Sequence, residues 1–546
     1  MFLKNTLFVI IILIGMVFLT IEVLPGSRGF PPTQQKADLQ DIQIVARRVD
    51  QQFEEKWKLK NIPAADQADN LIVARRLSLG LTGTIPSLEE IRQLEQVEPD
   101  NQIDWWTDYL LKDQRYYDYV AERLARAYVG VEDGPFILYR RRRFVMWLSE
   151  QLRENRGYDQ LVKDLLSDKG LWTDTPSVNF YTVTVQEDHP DPIRLAARTT
   201  RAFLGLRIDC LQCHDDALGT MELGELGNTR TGMQEDFHQL AAAFSSTRQT
   251  FAGIQDSEET QPYRFKFLNE EDERSVDFNV PFRADLLPAG GNDRMRLAAW
   301  VTHPENPAFA RAIVNRIWAI MTGKPLIDPV DDIPLYGQRP PGMDLLAEDF
   351  VQHGYDLKRL IRIIAQTQVF QKNSTASFEV EEKHESSWAV YPQNPLRPEQ
   401  VVGSLVQATS LKTINDDSNV FQKLFTFGDT NDFIVRYGDP GEDEFRDRNE
   451  TIQQKNIMMN GKVVGERTRA SGLLVNAAGQ ISRFCDSNEK IVETLYLVVL
   501  SRRPTNQESQ FLTEHLEQCQ SENEKMRAVE DILWALFNKL EFLRTH

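Results

Sequence analysis

Ile42-Gln43-Ile44-Val45-Ala46-Arg47-Arg48-Val49-Asp50-Gln51-Gln52-Phe53 repeats apolar residues (Ile42, Val45, Ala46, Val49, Phe53) at spacings of three and four. That spacing predicts one buried face of a helix. Leu71-Ile72-Val73-Ala74-Arg75-Arg76-Leu77 continues in kind. Pro86-Ser87-Leu88-Glu89-Glu90 then sets a Ser three residues before a Glu, the signature of a capping box at a helix start. Helical periodicity returns around 103–129, 140–155, 158–167, 190–207, 293–302, 305–322, 344–352 and 356–367, and from 397 to the end. Only 256–290 changes character. Tyr263, Phe265 and Phe267 alternate, then Val276, Phe278 and Val280, with Asn269-Glu270-Glu271-Asp272 as the turn between two short strands. Pro288-Ala289-Gly290-Gly291 marks a boundary.

The expected fold is therefore mainly α, two helical domains with a small β element between them and an N-terminal membrane anchor helix. The expected boundaries are an anchor and tether at 1–29, a first domain at 40–255, a β linker at 256–290, a second domain at 291–520 and a C-terminal helix at 521–546.

The composition fits this picture. The chain has 546 residues, with 62 Lys and Arg against 81 Asp and Glu, a net charge of −19. Such an acidic balance excludes nucleic acid as an expected partner, because neutralising phosphates takes clustered cations. Four Cys exclude a disulfide-dense scaffold. No G-x-S-x-G, H-E-x-x-H or P-loop occurs, so the common hydrolase, zincin and nucleotide signatures lack support.

At the start, Leu7 to Ile21 carries no charge and follows Lys4. That run is short for a span, and reaches the length a bilayer needs when Val23 and Leu24 are included. No small-residue cleavage pattern follows, which favours an uncleaved signal-anchor over a cleaved signal peptide or a buried helix. The single Lys4 favours a cytoplasmic N-terminus, so a single pass would hold the bulk of the chain on the periplasmic, extracytoplasmic side.

The one chemical motif is Cys210-Leu211-Gln212-Cys213-His214. In an exported protein, C-x-x-C-H reads as covalent attachment of haem c. Cys210 and Cys213 would reach two vinyl groups of one porphyrin, and His214 would offer an axial nitrogen to the iron. Met221, Met233 and His238 are candidates for a second axial ligand. Two other readings stand beside it. One is zinc held by Cys210, Cys213 and His214 with His238 or Asp216. The other is a Cys210–Cys213 disulfide without any metal. Cys485 and Cys519 form a second pair of thiols, able either to bridge or to pack as small apolar groups.

Several further segments carry a family resemblance. Arg76-Leu77-Ser78-Leu79-Gly80-Leu81-Thr82-Gly83-Thr84-Ile85-Pro86-Ser87, Asn155-Arg156-Gly157-Tyr158-Asp159-Gln160-Leu161 and Arg201 to Cys210 resemble the planctomycete cytochrome-c-like domain of unknown function. From about 294, Arg296-Leu297-Ala298-Ala299-Trp300, Asn306 to Arg311, Val314-Asn315-Arg316-Ile317-Trp318, Asp331-Asp332-Ile333 and His353 to Lys358 resemble its companion C-terminal domain. The resemblance implies an exported, often membrane-tethered protein whose activity is not established, and it matches Cys210, Cys213 and His214 to the family's motif. It also shows a departure. The family follows its motif with another His, where this chain has Asp215-Asp216.

The leading expectation is an electron-transfer protein with haem c, a redox partner protein and a membrane tether. The alternatives are a non-haem scaffold with a structural metal or disulfide, and an extracytoplasmic enzyme acting on a polymer. The last would require Asn315, Arg316 and Asp331 to converge on one open pocket. Arg140-Arg141-Arg142-Arg143, the only basic run, reads mainly as a solvated helix face.

Overall fold

A computed structural model describes residues 36–131, 139–187, 189–257, 262–414, 432–439, 441, 445, 450–469 and 477–546, without the side chains of 36–38 and 484. The apolar N-terminal run and its tether lie outside these residues. Among the described residues no helix is long and apolar enough to cross a membrane.

The chain is mainly helical, with small antiparallel strand pairs. Helix starts follow the local chemistry that the sequence contains. Ser87 Oγ accepts from Glu90 N at 3.0 Å, and the Glu90 carboxylate accepts from Ser87 N at 2.8 Å, which satisfies two orphan donors of the helix Leu88–Leu94. Asp69, Asp113, Asn306 and Asp356 cap other helices through side-chain oxygens. Tyr263–Phe265 pairs with Arg274–Val276 in the register Tyr263↔Val276, as the alternation predicts. Three further hairpins sit inside the first half, including Glu222–Glu225 with Asn228–Thr231.

Two hydrophobic cores hold the molecule, and they do not divide near residue 290. The first draws Ile42, Phe53, Leu77, Trp106, Leu161 and Phe203 together with Trp300, Ile313, Trp318, Leu346 and Ile364. The second gathers Val401, Leu405, Ile491, Leu495, Val499, Leu533 and Phe542, and takes Leu79 and Ile85 from the N-terminal half.

The helix Asn70–Thr82 serves both. Leu71, Val73, Ala74, Leu77 and Leu81 face the first core and Leu79 the second. Its Gly80 lies so close to Met321 that an added Cβ would sit 2.8 Å from the Met321 backbone, so only glycine fits that crossing. Arg75 and Arg76, both fully buried, bond outward from the same helix. Arg75 donates to the Val499 carbonyl at 2.9 Å and the Phe542 carbonyl at 3.2 Å. Arg76 donates to the carbonyls of Phe370 and Lys372 at 3.0 and 2.7 Å, with its guanidinium 3.6 Å from the Tyr391 ring centre. Burial lowers both guanidinium pKa values to about 10, still charged at neutral pH. Farther out, the helix Lys36–Lys60 packs on Met343–Gln352, where Gln52 accepts from Gly342 N at 2.8 Å.

Candidate functional site

The Cys210–His214 loop is built from the end of a helix. Pro192–Thr199 is capped by Asp191, whose carboxylate accepts from Ile193 N and Arg194 N, and it presents Leu195 and Thr199 inward. A π-helical turn, Thr200–Leu204, widens its last stretch and buries Ala202 and Phe203. Such turns are uncommon and often lie beside functional sites. Gly205 stops it at φ +62° and is pressed against Ile333 of the second half, whose N–H donates to the Gly205 carbonyl at 2.7 Å. The chain then enters a short 3-10 turn, Asp209–Gln212.

Within the motif only Leu211 points inward, fully buried. The Gln212 carbonyl accepts twice, from Gln234 Nε2 at 3.0 Å and from His238 Nε2 at 3.1 Å. That bond fixes the proton of His238 on Nε2, so Nδ1 accepts from the Tyr263 hydroxyl at 2.9 Å. The ring stacks on Phe265 at 3.4 Å between centres, with Phe237 and Phe267 edge-on. Burial lowers its pKa, against the Gln212 bond, and favours the neutral ring. His238, a candidate axial or metal ligand from sequence, thus has both ring nitrogens engaged in positioning the loop.

Asp216, the other candidate fourth ligand, is engaged as well. It accepts from Met221 N at 2.6 Å, Leu218 N at 3.2 Å and the Thr220 hydroxyl at 3.3 Å. The Met221 N–H is the main cause that holds its carboxyl below the usual range. Asp215 accepts from Gln234 N at 2.7 Å. Met221 is half-buried, and Met233 is 44% exposed.

The outward groups differ. Cys210, Cys213 and His214 are exposed, and both thiols are free. Desolvation pushes the Cys210 thiol up, which favours its protonated form. His214 Nδ1 lies 2.7 Å from the Asp215 carbonyl and must donate to it, which leaves the Nε2 lone pair available. These three do not form a closed cage. Among the described residues the one trio bringing such ligand atoms within 4.8 Å of one another is Asp41, Asp349 and His353. There the Arg359 guanidinium already bridges the two carboxylates, at 2.8 Å from Asp349.

The residues weighed for polymer chemistry are all buried. Asn315 donates to the carbonyls of Ile327 and Val330 at 2.8 and 3.1 Å and accepts from Ile327 N at 3.0 Å, pinning that loop. Asp331 accepts from Arg201 and Arg207, both at 2.8 Å, and so braces the segment that leads into Cys210. Burial raises the Asp331 pKa, but the two guanidinium groups outweigh it and hold the carboxyl below its usual range. Arg316 is 6% exposed. In the basic run, Arg141 pairs with Glu122 at 2.8 Å and Arg140 lies over Trp172, while Arg142 and Arg143 are exposed. Cys485 and Cys519 are free, near the Thr494 hydroxyl and the His515 carbonyl respectively.

Sequence reasoning missed Gln234, Tyr263, Arg201 and Arg207 as supports of the loop. The alternation at Tyr263, Phe265 and Phe267 signalled a strand, but nothing in it told which residue its inner face would meet.

Residues 48–249 match the family model of PSCyt2, a protein of unknown function (DUF1549). Residues 293–432 match that of PSD1, a protein of unknown function (DUF1553). No curated protein and no solved structure matches the chain. The chain carries a PSCyt2 region followed by a PSD1 region, two families of unknown function in the order that the resemblance implied.

Proposed function

We propose that the Cys210–His214 loop is a covalent attachment site for haem c, in an electron-transfer protein held outside the cytoplasm by its apolar N-terminal run. The observation that carries this reading is the division of labour in the loop. Leu211, Gln212, Asp215 and Asp216 are spent on holding it, while Cys210, Cys213 and His214 are exposed, both thiols are unbridged, and the Nε2 of His214 has no partner among the described residues. A closed zinc cage would need convergent ligands, whereas two vinyl groups on one macrocycle accept thiols that stay apart.

The donor set fits the group. Each thiol would add across a vinyl group, sulfur to the carbon beside the ring and the thiol proton to the terminal carbon, so the step needs no oxidant. His214 would ligate through Nε2, with its Nδ1–H bond to Asp215 fixing the tautomer and adding to its basicity. Leu218, Met233 and Leu268, exposed by 87, 44 and 68%, supply apolar surface on segments bonded to the loop, suited to cover a porphyrin edge. Haem bound there would supply one-electron transfer to a partner protein.

The full chain, produced in a host that matures c-type cytochromes, is expected to show a Soret band and covalent haem on a denaturing gel. Both should vanish in Cys210→Ser/Cys213→Ser. A colourless wild-type protein would overturn the reading, and its zinc content would then separate metal from bare thiols.

A further inference from the structure

Resting on the haem reading above, we infer that this chain supplies a single axial ligand, His214, and leaves the opposite coordination position to a small neutral molecule. Two axial donors stand on opposite faces of one porphyrin, so a second donor has to come from an element that faces the motif across the macrocycle. The donors nearest in sequence do not. Gly232, Met233 and Gln234 run along the inner side of the loop. The Gly232 carbonyl accepts from Asp216 N at 2.9 Å, and Gln234 N donates to Asp215 at 2.7 Å. A Cβ on Gly232 would sit 2.8 Å from the buried Leu211 side chain and 3.2 Å from the Met221 sulfur, so Met221 belongs to the same layer. His238 is fully buried, with both ring nitrogens engaged. All of these hold the loop from the side opposite to its exposed thiols.

The outward side carries no substitute. Cys210, Cys213 and His214 are exposed, so no described element covers them. Every histidine of the chain lies among the described residues, as does every methionine except Met1 and Met16 of the apolar run. No lysine, whose amine is another possible donor, occurs between Lys169 and Lys266.

Local charge selects the class of ligand. Residues 209–236 are described throughout, and they hold seven carboxylates against one cation, Arg230, which Asp236 already binds at 2.6 Å. Asp209 and Glu235 have Arg201 and Arg274 beside them, at 3.8 and 3.1 Å. Asp215, Asp216, Glu222 and Glu225 accept only from neutral donors among the described residues. An anion approaching the iron would meet this negative field, whereas an uncharged diatomic molecule would not.

The test is spectroscopy of the full chain, loaded with haem in a host that matures c-type cytochromes. Visible absorption, with electron paramagnetic resonance of the oxidised form, is expected to show high-spin iron in both oxidation states. Carbon monoxide should bind the reduced protein in one step whose rate rises linearly with its concentration, because no protein ligand has to leave first. Azide, an anion, should bind the oxidised protein about threefold more weakly at low salt than at high salt. A low-spin spectrum would overturn the proposal, and its conversion to high spin in Met221→Leu, Met233→Leu or His238→Phe would name the donor responsible. So would a carbon monoxide rate that levels off with concentration, or azide binding favoured by low salt. A colourless protein would overturn this proposal together with the haem reading, whereas a low-spin haem protein would overturn this one alone.

Discussion

The Cys210–His214 loop and the Asn315–Asp331 stretch both hold residues that invite a chemical role, but they face opposite ways. Asn315 and Asp331 turn inward and spend their polar atoms on backbone and on arginines. Cys210, Cys213 and His214 turn outward and keep reactive atoms in hand. The two regions also touch, because Asp331 grips Arg201 and Arg207 just ahead of Cys210. A polar residue whose bonds are all satisfied inside the protein is architecture, and one held in place with an atom to spare is a candidate for chemistry.

The sharpest way to break this contrast is at Asn315. Asn315→Leu strips three hydrogen bonds from a fully buried side chain and leaves their backbone partners unsatisfied, an expected loss of about 4 kcal/mol in urea unfolding. A loss below about 1 kcal/mol would show that burial misled.

Asp50 sharpens the rule from the other side, since it is inward and, among the described residues, accepts from Gln368 N and Val369 N without a paired cation in hydrogen-bond contact. Burial lifts its pKa from 3.8 to about 6. The folded state therefore holds the proton more tightly, and stability falls as pH rises through that window, by about 3 kcal/mol in total. Asp50→Asn is expected to flatten that part of the unfolding profile.

Asp331 has the opposite sign. Its carboxyl is depressed by Arg201 and Arg207, so its contribution is present above the usual carboxylate range and lost as pH falls. Asp331→Asn should cost about 2 kcal/mol at neutral pH and remove part of the acid sensitivity seen in thermal melts.

His238→Phe keeps the stacked ring but deletes both hydrogen bonds, at an expected cost of about 1–2 kcal/mol. Proteolysis within residues 209–220 should quicken. The smallest stability effect is expected at the outward pair. Cys210→Ser/Cys213→Ser should stay within about 0.5 kcal/mol of wild type by urea unfolding, although it abolishes the proposed haem attachment. A large loss there would make the thiols structural and erase the contrast.

Much of the helical framework was legible because burial of one face leaves a period that survives in sequence. Tyr158–Ser167, Asp293–Val301, Pro307–Thr322 and Leu357–Gln366 lie at or within about two residues of where the spacing puts them. The hairpin Glu222–Thr231 was missed because Asn228–Thr231 is wholly exposed and carries no alternation to read. Cys210 to His214 announced themselves by spacing alone. Their supports did not, since His238, Tyr263 and Asp331 reach the loop only through tertiary packing. The same holds for the cores. Leu79 and Leu81 look alike in sequence, yet one belongs to each core.

The helix Asn70–Thr82 lies inside the PSCyt2 match, yet Gly80 is seated against Met321 inside the PSD1 match, and Arg75 reaches Val499 beyond both. A gene truncated between the two regions would leave this helix without most of its lining and strand two guanidinium charges. The pair is therefore not a string of interchangeable modules. Recombination that shuffled one region away from the other would have to supply new neighbours for the helix Asn70–Thr82.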